Sequence, residues 1–184
     1  MKRAAILDRD GVINEFRRAV NRPEDLILYP EIAPAIRLLK SRGFLVCVAT
    51  NQGGVGLGYM TDEQLEEVHD ALTAQLAAKG AKLDAIASCT HAPHASCTCR
   101  KPQPGLLLQL QRTLHFSLPH SYMVGDRETD ISAGVAAGVR TVRIVHGSIK
   151  IKTKANYSAH NLLEAVEWII TDAESTDDTI THRI

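Results

Sequence analysis

The chain has 184 residues, of which 45% are hydrophobic and 4% are aromatic. Its 21 basic and 21 acidic residues leave no formal net charge, which argues against a general nucleic-acid or membrane-surface binder. No apolar run is long enough to span a bilayer, and the apolar stretch at residues 4–7 is too short for a secretory signal. We therefore expect a cytoplasmic protein that needs no disulfides to stabilise its core.

Short apolar runs alternate with helical patterns along the chain. The runs predict buried strands at residues 4–7, 44–49, 83–87, 121–124 and 139–145. Helices are predicted at residues 32–42, 61–79, 106–114, 130–137 and 162–170. Thr61 and Gln64 have the spacing of a capping box at the start of the second helix. This alternation predicts an α/β fold, a doubly wound parallel sheet, in one domain over 1–173 with a disordered tail over 174–184.

Side chains that can bind a ligand or take part in a reaction follow four of the predicted strands. They are Asp8, Thr50, Cys89 and Asp126. Ligands of doubly wound sheets bind at the carboxyl ends of the strands. The sequence therefore predicts one site that draws on all four segments.

The first motif is Asp8-Arg9-Asp10-Gly11. Two carboxylates two residues apart at a strand end can face one pocket, where they can bind a hard cation or act as nucleophiles. An ordinary Asp-Gly turn is the alternative.

The second motif runs from Thr50 through Asn51, Gln52 and Gly53 to Gly54. A hydroxyl followed by glycine-rich backbone offers hydrogen bonds to phosphate oxygens. A flexible connection is the alternative.

The third motif is Arg100-Lys101-Pro102. Lys101 can supply a point charge to a phosphate, whereas a solvated surface pair is the alternative.

The fourth motif is Gly125-Asp126, followed by Asp130 four residues after Asp126. Both carboxylates can lie on one side of a helix start. Asp130 can equally serve as a helix cap, so its role stays open.

A Cys-x-His pair, Cys89 and His91, precedes a Cys-x-Cys pair, Cys97 and Cys99. Three thiolates and one imidazole make a closed tetrahedral zinc site, which is structural because it has no open position. His91 is the preferred fourth ligand because it shares a short turn with Cys89, and His94 is the alternative. A chance cluster of thiols is the remaining interpretation.

The four motifs in this order resemble the haloacid dehalogenase (HAD) superfamily of phosphatases. The resemblance implies that Asp8 attacks phosphorus, while Asp10 protonates the leaving oxygen and later deprotonates water. It implies that Thr50 and Lys101 hold the phosphoryl group. It also implies a magnesium site made by Asp8, Asp126 and the backbone carbonyl of Asp10.

The resemblance extends over residues 2–145 and leaves no room for a large cap domain. The zinc loop, residues 89–101, is similar to that of the D-glycero-D-manno-heptose 1,7-bisphosphate 7-phosphatases and of the related histidinol-phosphate phosphatases. This similarity implies a small phosphorylated metabolite as substrate, a sugar bisphosphate first and histidinol phosphate as the alternative. The implied substrate contacts are Arg9, Asn51, Gln52, Gly53, Arg100 and Arg127.

One segment departs from the family pattern. Members often carry an Asp-x-Gly-Tyr-like segment after the first motif, whereas Phe16-Arg17-Arg18-Ala19 stands here. The exact sugar therefore stays open, and the two arginines favour a second phosphate or another anion.

Other classes of protein fit the sequence less well. A non-catalytic scaffold stabilised by zinc would not need all the carboxylates, and a phosphatase acting on nucleic-acid ends would need a basic aromatic stripe. We expect a monomer with no nucleic-acid or membrane partner. Cys47 is expected in the core, and the remaining histidines are expected on the surface or on helices: His69, His115, His120 and His160.

Overall fold

The computed structural model describes residues 1–16, 19–147 and 152–181 of the chain, with side chains described up to residue 176. Arg17 and Arg18, whose role the sequence left open, lie outside the described residues. The strands of this described part form one parallel sheet of six strands with the order β3-β2-β1-β4-β5-β6. The strands are β1 (Arg3–Leu7), β2 (Phe44–Asn51), β3 (Ala85–Cys89), β4 (Tyr122–Gly125), β5 (Arg140–Ile144) and β6 (Tyr157–Ala159).

Within the described residues, six α-helices connect or follow the strands. They are α1 (Ile32–Ser41), α2 (Gly53–Gly56), α3 (Asp62–Ala78), α4 (Gly105–Leu114), α5 (Glu128–Ala137) and α6 (Leu162–Thr181). Two 3-10 helices, Pro23–Asp25 and Leu118–His120, lie in connecting segments. The predicted capping box is confirmed at α3, where Thr61 and Gln64 exchange hydrogen bonds of 2.9 and 3.2 Å.

The sheet is buried on both faces, as the uninterrupted apolar runs predict. Ala5 and Leu7 of β1 pack on one face in a core shared with α1, α3 and α6. Ala4 and Ile6 point to the opposite face, in a core shared with α4, α5 and the buried Cys47. The doubly wound α/β prediction is therefore confirmed, and so is the prediction that Cys47 belongs to the core.

The described chain between β2 and α4 contains only α2, α3, β3 and the cysteine-rich loop, so no large cap domain is inserted there. The carboxyl ends of β1, β2 and β4 consequently stay open to solvent on one side. This opening holds the candidate site.

Three elements differ from the sequence-based expectation. The short helix α2 lies in the predicted loop, and β6 was not predicted because its three residues carry too weak a pattern. The last helix continues to Thr181, through most of the segment 174–184 that was expected to be disordered. Its extension has local support, because Ala173 is buried and Glu174 forms a 2.7 Å ion pair with Arg42.

Candidate active site

A cavity of about 890 Å³ opens at the carboxyl ends of the central strands. Its lining includes Asp8, Asp10, Thr50, Asn51, Arg100, Lys101, Arg127 and Asp130. Residues from four separate predicted motifs thus meet at one place, as the strand-end rule predicts.

The ammonium of Lys101 is the central charge of the site. It lies 2.8 Å from Asp8 Oδ1 and 2.6 Å from Asp130 Oδ1, and it donates a 2.7 Å hydrogen bond to the carbonyl of Ala49. Burial lowers the pKa of Lys101, but the two carboxylates more than offset that effect, so its pKa is raised overall. Lys101 is therefore a permanent cation directed at Asp8.

The backbone of Lys101 is fixed to the end of β2. The Asn51 side-chain amide donates a 2.9 Å hydrogen bond to the carbonyl of Lys101 and accepts a 3.0 Å hydrogen bond from the N–H of Lys101. The Asn51 amide, expected to contact substrate, is thus occupied in holding the cysteine-rich loop against the sheet.

Asp8, Asp126 and Asp130 each present a carboxylate oxygen, and these oxygens lie within 4.8 Å of one another. Burial raises the pKa of Asp8 to about 6 against the opposing effect of Lys101, and burial together with Asp8 raises the pKa of Asp126. Asp126 Oδ1 is buried with no partner among the described residues. An unpaired buried oxygen in an all-oxygen cluster fits a hard cation such as Mg²⁺.

Gly11 allows Asp126 to approach the first motif. Its φ of 85° lies in the left-handed region, and a Cβ there would lie 2.6 Å from Asp126 Oδ2. The Asp-Gly turn of the first motif is therefore also what brings Asp126 beside Asp8.

Asp10 is held by three neighbouring side chains. Arg9 donates through Nε and Nη2 at 3.0 Å each, Asn14 Nδ2 donates at 3.0 Å, and Gln52 Nε2 donates at 3.1 Å. Gln52 Nε2 also donates 2.8 Å to the hydroxyl of Thr50. Gln52 thereby links the first motif to the second.

Arg9, which was expected to contact substrate, is turned into the interior of the protein. Its side chain is fully buried, it does not line the cavity, and its guanidinium is paired with Asp10. Gln52 is likewise turned inward, toward Asp10 and Thr50. Neither side chain faces the cavity in this structure.

The four predicted metal ligands form a compact cluster, in which Cys89, His91, Cys97 and Cys99 present ligand atoms within 4.8 Å of one another. The Cys89–Cys97 sulfur distance is 3.7 Å, close to the ~3.8 Å that tetrahedral Zn–S bonds of about 2.3 Å require. The structure brings His91, not His94, into the cluster. Three sulfur atoms and one imidazole nitrogen are the donor set of a closed tetrahedral zinc site, so the cluster fits a zinc ion.

The cluster is connected directly to the cavity. Arg100 follows Cys99 in the chain, lines the cavity and donates 3.4 Å to the carbonyl of His91. Its guanidinium lies over Gly53 of α2, where an added Cβ would meet Arg100 Nη1 at 2.9 Å. Gly53 therefore makes room for Arg100 at the cavity wall.

Arg127 and Phe16 meet at the cavity mouth. The Arg127 guanidinium carbon lies 5.1 Å from the centre of the Phe16 ring, and the Arg127 N–H donates 3.0 Å to Asp130 Oδ2. Asp130 thus caps α5 and also pairs with Lys101, so both roles considered for it from the sequence apply.

Two histidines lie near the site, and one of them, His146, was not predicted. His146 Nε2 lies 2.6 Å from the carbonyl of Gly11, and the ring stacks on Tyr29. It follows β5 closely, so the strand-end rule would have found it. His69 was expected on the surface or on a helix; it lies on α3, and burial, then the charge of Arg9, lowers its pKa to about 4.

Comparison with known proteins agrees with this geometry. Residues 98–167 match the HAD-hydrolase-like family model. A D-glycero-β-D-manno-heptose-1,7-bisphosphate 7-phosphatase from Helicobacter pylori strain J99 is 36% identical over 169 residues, which cover 91% of this chain and 97% of that protein. The enzyme of the same name from Escherichia coli K12 is 36% identical, over 91% of this chain and 87% of that protein.

This chain belongs to the heptose bisphosphate phosphatase family.

Solved structures support the family assignment. The D,D-heptose 1,7-bisphosphate phosphatase of B. bronchiseptica, crystallised with magnesium and phosphate, superposes with a TM-score of 0.84 at 31% identity, covering 94% of this chain and 100% of that one. The HAD fold expected from the sequence is confirmed. None of the helices in the described part of this family member is long and apolar enough to cross a membrane.

Proposed function

We propose that this chain is a magnesium-dependent phosphatase that removes the 7-phosphate of D-glycero-D-manno-heptose 1,7-bisphosphate. The observation that carries the proposal is the buried Lys101 ammonium, 2.8 Å from Asp8 and at the edge of a carboxylate cluster. A carboxylate beside a fixed cation, at the end of an open cavity, suits attack on a phosphate monoester. The family membership narrows the substrate to the bisphosphate of a heptose.

Asp8 is the proposed nucleophile. One of its oxygens forms a bond to phosphorus while the bond between phosphorus and the sugar oxygen breaks, and Asp10 gives that oxygen a proton. Water then attacks the aspartyl phosphate, Asp10 takes a proton from the water, and inorganic phosphate leaves. Thr50 and Lys101 hold the phosphoryl oxygens throughout both steps.

The residues proposed to hold Mg²⁺ are Asp8, Asp126 and the backbone carbonyl of Asp10. A bound Mg²⁺ supplies charge neutralisation between the phosphate dianion and the carboxylate nucleophile. Lys101 adds the second positive charge that this repulsion requires. The unpaired Asp126 oxygen supports the proposed ligand set.

Substrate selection is assigned to the charged cavity wall. Arg100 and Arg127 both line the cavity, which at about 890 Å³ is large enough for a sugar with two phosphates. Arg100 and Arg127 are therefore the proposed contacts for the sugar and its remaining phosphate. The backbone between Asn51 and Gly53 is the proposed contact for the phosphoryl group.

Zinc is proposed as a structural ion bound by Cys89, His91, Cys97 and Cys99. Its position next to Arg100 and Lys101 means that it anchors the backbone that carries two of the cations of the site. The cytoplasmic location and the monomeric state expected from the sequence stay predictions.

The test is a comparison of kcat/KM for the two anomers of heptose 1,7-bisphosphate and for histidinol phosphate, with Mg²⁺ present. We expect at least one heptose anomer to be preferred over histidinol phosphate by about tenfold or more, the effect of ~1.4 kcal/mol in the transition state. Faster hydrolysis of histidinol phosphate would indicate that the chain is a histidinol-phosphate phosphatase. Release of no phosphate from any of them would favour a non-catalytic scaffold.

A further inference from the structure

Arg9 is a charged side chain with no exposed surface. Its guanidinium donates to both oxygens of Asp10, through Nε to Oδ1 and through Nη2 to Oδ2, at 3.0 Å each. Arg9 Nη1 is buried without a hydrogen-bond partner among the described residues. A buried cation needs a counter-ion, and Asp10 is the anion that its fork meets.

The fork fixes the plane of the Asp10 carboxylate. Two parallel N–H donors match the geometry of a carboxylate and allow little rotation. Asn14 and Gln52 add one donor to each oxygen from other directions.

On α3, the charge of Arg9 acts on His69. His69 lies there with a buried Nε2 that has no partner in the described chain, and burial followed by the charge of Arg9 lowers its pKa to about 4. The imidazole is therefore neutral at physiological pH. Among the described residues, Asp10 is the carboxylate that pairs with Arg9.

We propose that Arg9 is a positioning residue, which aims the Asp10 carboxyl group at the leaving oxygen and does not contact the substrate. The inference rests on the proposed function, because it assigns Asp10 the proton transfer. It differs from the substrate contact that the resemblance implied for Arg9. Its signature is dependence on the leaving group, since protonation matters greatly for a sugar alkoxide and little for a nitrophenolate.

The experiment measures kcat/KM of the wild type and of Arg9→Lys on two substrates, heptose 1,7-bisphosphate and p-nitrophenyl phosphate. This ratio reports the steps up to transfer of the phosphoryl group to Asp8, so later hydrolysis does not affect it. Loss of a general acid costs ~10²–10⁴-fold, so misaiming it should lower kcat/KM for the sugar substrate by about tenfold or more. We expect the loss for p-nitrophenyl phosphate to be less than about threefold.

A double-mutant cycle isolates the coupling. In an Asp10→Asn background, Arg9→Lys should leave the ratio between the two substrates unchanged, because the residue that it aims is already disabled. Arg140→Lys is the matched control. Arg140 forms a 2.6 Å ion pair with Asp172 and does not line the active-site cavity. We expect that variant to keep the wild-type ratio.

Equal losses on both substrates, or an unchanged Arg9→Lys enzyme, would overturn the inference. A weaker inhibition by inorganic phosphate with an unchanged substrate ratio would overturn it too, because it would indicate direct contact with the ligand. If circular dichroism shows that Arg9→Lys does not fold, Arg9→Gln replaces it, and loss of the fold in both variants would assign Arg9 to the fold alone. A wild type inactive on both substrates would instead remove the proposed function.

Discussion

Lys101 Nζ lies 2.6 Å from Asp130 Oδ1, and both side chains are almost completely buried. Asp130 also accepts a 3.0 Å hydrogen bond from the N–H of Arg127 at the start of α5. One carboxylate therefore connects the cation of the cysteine-rich loop to the helix that follows Asp126. Through Lys101, the same connection reaches Asp8.

We predict that Asp130→Asn lowers both stability and activity. The amide leaves Lys101 with one carboxylate in place of two, so the free energy of unfolding should fall by about 3 kcal/mol, the lower end for a broken buried pair. Because Lys101 loses its fixed direction, kcat/KM should fall by about tenfold or more. Denaturant unfolding and phosphate release are the measurements.

Asp172→Asn is the matched control for Asp130→Asn. Asp172 forms an ion pair with Arg140 and accepts a 2.7 Å hydrogen bond from the hydroxyl of Tyr122. These contacts lie at the end of the sheet opposite the cavity. It should lose stability and keep the wild-type kcat/KM. If Asp130→Asn behaved in the same way, Asp130 would be a helix cap alone.

We predict that the affinity for magnesium decreases as the pH is lowered below about 6. Burial raises the pKa of Asp8 to about 6, so below that pH the carboxyl group carries a proton that the ion must displace. The dissociation constant should rise by about tenfold per pH unit below about pH 6 and change little above it. The measurement is the dissociation constant of Mg²⁺ by calorimetric titration, repeated at intervals of about one pH unit between about pH 5 and pH 8. A dissociation constant independent of pH would contradict the involvement of Asp8.

We predict that His91→Ala and His94→Ala differ in metal content. His91 Nδ1 lies 3.5 and 3.3 Å from the sulfurs of Cys89 and Cys99, whereas His94 lies outside the cluster. His91→Ala should lose zinc during dialysis against a chelator, and His94→Ala should retain it. Native mass spectrometry measures the number of zinc ions per chain. Loss of zinc from His94→Ala and its retention by His91→Ala would show that His94 is the ligand.

We predict that Cys99→Ser lowers zinc content and activity together while the sheet stays folded. Cys99 precedes Arg100 and Lys101, which have to be placed within about 0.5 Å for catalysis. Magnesium affinity should change little, because Asp8 and Asp126 lie on other segments. Full activity without zinc would show that the ion does not position these cations, and global unfolding would show that it supports the whole domain.

Cys47→Ser is the control for Cys99→Ser. Cys47 is buried in the core and is not part of the metal cluster. It should lose stability because a hydroxyl replaces a thiol in an apolar core, yet it should keep its zinc.

The parallel sheet could be predicted because its strands are apolar on both faces and alternate with helical patterns. The Cys/His cluster could be predicted because its ligand residues are close together in the sequence, as a Cys-x-His pair and a Cys-x-Cys pair. β6 could not be predicted because its three residues carry too weak a pattern. The C-terminal extension of α6 could not be predicted because it depends on contacts such as that of Arg42 with Glu174, across 132 positions of the sequence.

Side-chain direction was the harder part of the site. The motif Asp8-Arg9-Asp10 indicates three charged groups at one strand end, but it does not say which of them faces the cavity. Arg9 is buried and pairs with both oxygens of Asp10, which itself lines the cavity. The position of His146 just after β5 is visible in the sequence, whereas its contact with the carbonyl of Gly11 appears only in the folded chain.

The most direct test of the proposed function is ³¹P NMR of heptose 1,7-bisphosphate incubated with Mg²⁺ and either the wild type or Asp8→Asn. With the wild type, the 7-phosphate signal should be replaced by inorganic phosphate while the 1-phosphate signal persists. Asp8→Asn should leave both signals unchanged, because an amide cannot attack phosphorus. Release of the 1-phosphate, or undiminished turnover by Asp8→Asn, would contradict the account.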